Sequence, residues 1–533
     1  MGRVLTNNTT LQVTFESSTG TLPAEPIWYV VEFSSITTFG ATITSVARRP
    51  IGQLRGRRKG AVTDLDSAVE IETDLTVDAF VLFAEGFVFS EYTNEEFFLR
   101  ETYGTPSIER PPRVDGTTED FDIDMASSTL AAKVVFGTGF STLLFTKGYA
   151  NSENNGLHVL SADLMATETA VQVTTDLVTE STPPDEATCE FCGLRTDDVT
   201  LTIDSGLATG TLVSAADIDF TAVGITVGQQ LHIGSADASG VLQNAPQISA
   251  TVVFGYLRVT AVTATTVTFD KADPNLGLGG MGSSAGTETI DIMYGRFLRN
   301  VPVQADSTDN RYLERTFQFE GAYPGLAANG VDTEYEYAVG NFANELTFNL
   351  PLTALSTVTF GFIGTTSEDI TGTRKNNAED GIPILRGDGF ATASNLVSIT
   401  TDVLSSTSEV CFKSVTATIL NNVSPEKCLG TLGAVFVNAG QFEVNIEAQM
   451  AFTNASIINA IRNNTTVTMA FIVQNENGAI ALDIPEMTLS GGGREFPVDQ
   501  TVLVNVTGNS FTSTTFGYDV GISLFANVPG VIA

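Results

Sequence analysis

The chain has 533 residues, 26 of them basic and 62 acidic, for a formal charge of −36. That length exceeds one ordinary core and predicts two or three domains; that charge excludes generic binding to DNA or RNA, whose phosphates need a basic surface. No apolar run approaches the 18 residues of a membrane-spanning helix, and Thr, Val, Gly, Asn and Ser, the residues of strands and tight turns, abound.

The opening MGRVLTNNTT has neither the cationic start nor the apolar core of a secretion signal. Six cations, Arg48, Arg49, Arg55, Arg57, Arg58 and Lys59, then fall within twelve residues. They lack interleaved aromatics and a surrounding basic field, so single-stranded nucleic acid fits poorly. In so acidic a protein they predict an arm that meets the acidic surface of a neighbouring subunit, since Arg suits bidentate carboxylate pairing; a solvated loop is the plainer alternative. Directly afterwards Val69–Leu75 alternates as a strand, with Glu70, Glu72 and Asp74 on one face and Val69, Ile71 and Leu75 on the other. A short helix is predicted over 77–87, capped by Asp78.

The segment DFDIDM repeats the acidic stripe with Asp120, Asp122 and Asp124. Cys189 and Cys192 form CEFC with no second close pair, and Cys411 and Cys428 stand apart; free or structural thiols lead, then a disulfide such as Cys411 with Cys428, then a zinc site. The two histidines, His158 and His232, sit in no motif and read as structural. Residues 195–285 form a compact β pattern, with a hairpin at 255–273 and a Gly/Ser loop at 275–286, and read as a small β module inserted at a surface loop. DTEYEY carries a further stripe at Asp332, Glu334 and Glu336, and STVTFGFIGTT is a strand.

An internal repeat follows. Gly60-Ala61-Val62 precedes VEIETDL by the same spacing as Gly433-Ala434-Val435 precedes FEVNIEA, which holds Glu443 and Glu447; a short helix comes after each, the second predicted over 453–464 from a cap at Thr453 or Asn454. TVTMAFIVQNENGAIALDIPEMTL, 466–489, is a hairpin around Asn477-Gly478. One acidic strand face is ordinary; several of one sign are not, because Lys or Thr would solubilise a face equally well and like charges repel. No nucleophile elbow, zinc-protease helix, phosphate loop or complete calcium loop occurs, so no catalysis, metal or cofactor is expected.

RRKGAVTDLDSAVEIETDL, LERTFQFEG, LTFNLPLTALSTVTFGFIG and LGTLGAVFVNAGQFEVNIEAQMAF together resemble the major tail tube proteins of siphophages. The resemblance implies a mainly β fold: tandem tube-type β-sandwich or barrel domains, each with a flanking helix. They would occupy 1–194 with 286–385, and 386–533, and the insertion at 195–285 would project outward as decoration. It implies a structural virion protein of the phage tail, assembled in the bacterial host cytoplasm into stacked rings around an acidic lumen through which DNA is ejected. The partners implied are further copies of the chain, as a trimer with pseudo-sixfold symmetry or a hexamer, together with tape measure and tail tip or terminator proteins. Double-stranded DNA would pass without specific binding, and no membrane is involved. Glu70, Glu72, Asp74, Asp120, Asp122, Asp124, Glu443 and Glu447 are the lumen candidates, and the loop 48–59 is the contact between subunits or rings. The competing readings are a cell-surface or adhesin-type β protein and a carbohydrate-active enzyme.

Overall fold

The repeat in the sequence is a repeat of hydrogen-bonded ladders. The computed structural model describes residues 4–48, 51, 57–93, 99–103, 108–123, 136–137, 140–161, 170–204, 209–215, 218–235, 247–248, 251–252, 255–270, 290–302, 311–327, 332–384, 387–401, 411–453, 455–475, 478–499, 501–526 and 528. In the first copy Ser35–Arg48 pairs with Arg58–Asp74, which pairs with Thr357–Gly364, which pairs with Glu334–Pro351, whose first half pairs with Thr316–Tyr323. The second copy repeats this order with Phe412–Leu420, Glu443–Ala451, Leu503–Ser510, Gly478–Glu495 and Thr466–Asn475. All these ladders are antiparallel.

The copies do not fold as separate bodies. Glu345–Pro351 also pairs with Ser414–Leu420, placing Leu346 opposite Ile419 and Phe348 opposite Ala417. Among the described residues seventeen strands thus form one sheet, and one apolar core runs from Leu11 through Val69, Phe348, Val415 and Ile446 to Leu524. A one-residue slip at this junction would turn the apolar side chains outward, so burial fixes its register.

Each copy lays a helix over the inner face of its sheet. In the first, Val77–Val88 begins at Thr76, whose hydroxyl accepts from the Ala79 N–H at 3.3 Å. Asp78, the expected cap, lies in the first turn and pairs with Lys147 at 2.6 Å instead. Phe80, Phe83 and Phe87 point into the sheet, with ring centroids 4.7 Å apart for Phe83–Phe360 and 5.2 Å for Phe87–Phe362. Close approach needs Gly86, where a Cβ would stand 2.7 Å from Phe317. In the second copy the helix is Ser456–Asn463 and buries Ile457, Ile458 and Ala460. The residue at its N-cap is Ala455; Thr453 lies before it and Asn454 lies outside the described residues. The hairpin at 466–489 is present as Thr466–Asn475 and Gly478–Glu495, with Gly478 at φ 131°; Asn477 is outside the described residues.

The second core draws on residues from Leu99 to Tyr294 and packs a nine-strand path from Gly156–Val159 to Val199–Asp204. The expected boundary at 194/195 falls inside this unit: Thr188–Thr196 pairs with Phe140–Lys147 on one side and with Ile290–Tyr294 on the other. The inserted body therefore starts well before residue 195, because its later strands cannot close a core without the earlier ones. After Tyr294 the chain rejoins the main sheet as Arg296–Arg299, paired with Gly521–Phe525. The body is riveted to the second copy. Buried Arg258 bridges Asp270 at 2.7 Å and Asp483 at 3.2 Å, and the Tyr256 hydroxyl donates to Gln474 at 2.7 Å. Burial works against the Arg258 charge, but Asp483 and Asp270 hold its pKa above the ordinary value.

Candidate acidic face and assembly surfaces

Strand alternation decides the acidic face. In Arg58–Asp74, Val69, Ile71 and Thr73 are buried under the helix, so Glu70, Glu72 and Asp74 stand half-exposed on the opposite side. The junction carries this face across both copies. Glu70, Glu72 and Asp74 lie opposite Gly361, Thr359 and Thr357; Glu345, Thr347 and Asn349 follow, opposite Leu420, Thr418 and Thr416; those stand opposite Glu443, Asn445 and Glu447. Thr507 and Asn509, then Ser490 and Thr488, complete it. At these positions there are six acids and no Lys or Arg. Carboxylates about 7 Å apart on one strand repel by roughly 0.6 kcal/mol per pair even at the dielectric of water, so the arrangement opposes folding slightly and is not explained by stability.

Of the predicted lumen acids, the structure brings together Glu70, Glu72, Asp74, Glu443 and Glu447, and adds Glu345, which no single-strand stripe reveals. Asp120 and Asp122 are elsewhere, in a three-stranded sheet with Val114–Asp115 and Ala170–Gln172 on the inserted body. Burial raises the pKa of both, and Asp122 lies 3.6 Å from Arg113. Asp124 lies outside the described residues. Glu334 and Glu336 occupy the other half of their long strand, where Glu336 accepts from the Tyr323 hydroxyl at 3.1 Å.

The basic cluster stands at the end of a β-arm. Ser35–Arg48 and Arg58–Asp74 run on past the sheet as a hairpin, exposed from Thr42 to Arg48 and at Arg57–Lys59. Seven strand residues give the arm a reach of roughly 20 Å. Arg48 faces Arg58 across the ladder; Arg49 and Arg55 lie outside the described residues. Among the described residues Arg48, Arg57, Arg58 and Lys59 have no ion-pair partner. The arm's own acids are already taken: Lys427, from the second copy, contacts Asp64 at 2.6 Å and Asp66 at 2.5 Å. Hydrogen bonding to Lys427 lowers the Asp64 pKa. Ile43, Val46, Ile51 and Val62 leave the arm apolar as well as basic.

All four cysteines are free, so the Cys411–Cys428 disulfide is not formed; both are exposed. Cys189 and Cys192 are buried in different clusters and burial raises both thiol pKa values. His158 is held between the Thr146 and Thr175 hydroxyls, at 2.9 and 2.6 Å. His232 packs edge-on to Tyr256 at 4.9 Å, and burial depresses its pKa to about 3. Among the described residues no group of three or more His, Cys, Asp or Glu could hold a metal ion, and no helix is long and apolar enough to cross a membrane.

No curated protein matches the chain. A family model described as phage tail tube protein matches residues 259–510, a span that contains the junction between the copies and the ladders of the second. Over that region, with its shared sheet and mainly β architecture, the chain is similar to phage tail tube proteins.

Proposed function

We propose that the chain is a structural virion protein that closes into rings, that the rings stack into the hollow tube of a phage tail, and that the six-acid face lines the lumen. The observation that carries the reading is the pair of sheet edges. Inside the chain, Glu345–Pro351 of the first copy pairs with Ser414–Leu420 of the second. Among the described residues, the equivalent of the former is the end of Gly478–Glu495, which from Leu489 onward pairs only with Leu503–Ser510; the equivalent of the latter is the start of Ser35–Arg48, which pairs only with Arg58–Asp74. The two unpaired edges are thus copies of two strands that already fit each other. A head-to-tail contact of this kind forms a ring if its rotation closes, and closure removes both edges. With two tube-like copies per chain, three chains give pseudo-sixfold symmetry.

The acid face then repels phosphate. Screening acts over roughly 8 Å at physiological salt, so the wall keeps passing DNA from adhering without binding it. The arm reaches the next ring or subunit, the inserted body decorates the outside, and tape measure and tail tip or terminator proteins meet the tube at its interior and ends. Negative-stain electron microscopy of the concentrated protein at two salt concentrations tests this: hollow tubes with a regular ring repeat are expected, with threefold end views. Six chains per ring would overturn the trimer, and monomers under every condition would overturn the ring reading.

A further inference from the structure

The copies meet inside the chain through more than a ladder. The turn after Glu334–Pro351 lies on the segment that opens the second copy. Leu355 bridges Ala391, the Ser356 N–H donates to the Phe390 carbonyl at 2.8 Å, and the Thr392 hydroxyl donates to the Pro351 carbonyl. Aligning the matching bulges of the two copies sets Val498 and Asp499 where Leu350 and Pro351 stand, and the segment that holds Thr6 and Asn7 where Thr392–Asn395 stands.

At these two equivalent places the chain has a projection and a recess. The hairpin end after Gly478–Glu495 carries Phe496, 75% exposed, and Val498, 85% exposed. Beside Thr6 and Asn7 lies a cavity of about 550 Å³, walled by Val31, Phe33 and Ile384. Its charged lining is acidic, Glu32 and Asp74; the hairpin end carries exposed Arg494, whose guanidinium lies over the Phe452 ring at 5.0 Å, while Glu495 is held on its own hairpin by Asn505 at 2.6 Å.

We infer that the hairpin end of one chain, with Phe496 and Val498, seats in the cavity beside Thr6 and Asn7 of a second copy. This rests on the ring reading and names the surface that locks its edges. Two apolar side chains leave water, and the recess they fill continues the proposed strand pairing, so the contact is made only when the edges are in register. In the first copy the corresponding turn lies against its neighbour through Leu355.

The test uses the full chain with Cys411→Ser and Cys428→Ser, leaving only the two buried thiols. Asn7→Cys with Val498→Cys is oxidised after assembly. These positions lie at opposite ends of one chain's sheet, so the expected product is a covalent oligomer ladder that ends at the ring number, while each single-cysteine variant stays monomeric on a non-reducing gel. Separately, Phe496→Asp with Val498→Asp is expected to keep the melting temperature and to raise the concentration needed for rings at least tenfold. Parent rings that neither cross-link nor respond to the aspartates would overturn this contact and leave the ring reading standing. A parent chain that forms no rings would overturn both.

Discussion

The two copies share one ladder order and differ in what fills it. The first is packed with phenylalanine: Phe83 alone touches Phe317, Phe319, Phe360 and Phe362. The second uses Met450, Met469 and Met487 under a shorter helix and retains a cavity of about 30 Å³ lined by Ile457, Val506 and these methionines, roughly the share of one water molecule. The loops differ more. In the first copy the strand pair before the helix extends as the exposed arm. In the second the intervening chain folds back as Ser424–Glu426 with Phe436–Asn438 and braces the arm's base through Lys427 and an Ala434 N–H bond to Thr365. The two copies share their ladders; their divergent loops leave one with an exposed arm and let the other brace that arm's base.

Five measurements test this contrast. The largest effect is expected from Phe83→Ala. It should cost about 3–5 kcal/mol and, because one core serves both copies, lower a single denaturation transition; loss of one of two separate transitions would show that the copies fold independently. Next, Arg57→Glu with Arg58→Glu and Lys59→Glu should leave the melting temperature unchanged and abolish stacking of rings into tubes in micrographs, since among the described residues these three side chains have no ion-pair partner in their own chain. Unaltered tubes would remove the arm from assembly.

The third contrast is between the inserted body and the sheet. His232 is neutral when folded, with its pKa near 3 against an ordinary 6.5. Between those values the unfolded chain takes up a proton that the folded chain does not, so this contribution is intact above pH 6.5 and declines on acidification. At pH 5 the loss is about 2 kcal/mol. The wild type should therefore lose that much more stability than His232→Gln between pH 7 and pH 5, and equal losses would contradict the neutral burial.

Fourth, the fillings predict opposite signs for one added methylene. Val506→Ile should stabilise by up to ~0.8 kcal/mol by entering the second copy's cavity, whereas Val358→Ile in the phenylalanine core should destabilise by about 1–3 kcal/mol; both are read from urea midpoints. The smallest effect is expected from Lys427→Ala: faster amide exchange at Asp64–Asp66 with no change in global stability, because the pair is exposed. Unchanged exchange there would show that the second copy does not brace the arm.

Much of the architecture is written in local pattern. Val69–Leu75 and FEVNIEA alternate with period two, so each had to be a strand with one acidic face. VDAFVLFAEGF had to be a helix with an aromatic face, although its cap proved to be Thr76, because the hydroxyl three residues before Ala79 reaches that N–H while Asp78 is drawn to Lys147. What no local pattern contains is pairing between distant segments. The ladder of Glu345–Pro351 with Ser414–Leu420 turned two expected domains into one core and added Glu345 to the acidic face. The stripe at Asp120–Asp122 looks like the others in sequence, yet its partners Val114–Asp115 and Ala170–Gln172 place it on the inserted body. Alternation states which side chains share a face of one strand; only the long-range hydrogen bonds, chosen by how the apolar faces bury one another, decide which strands share a sheet.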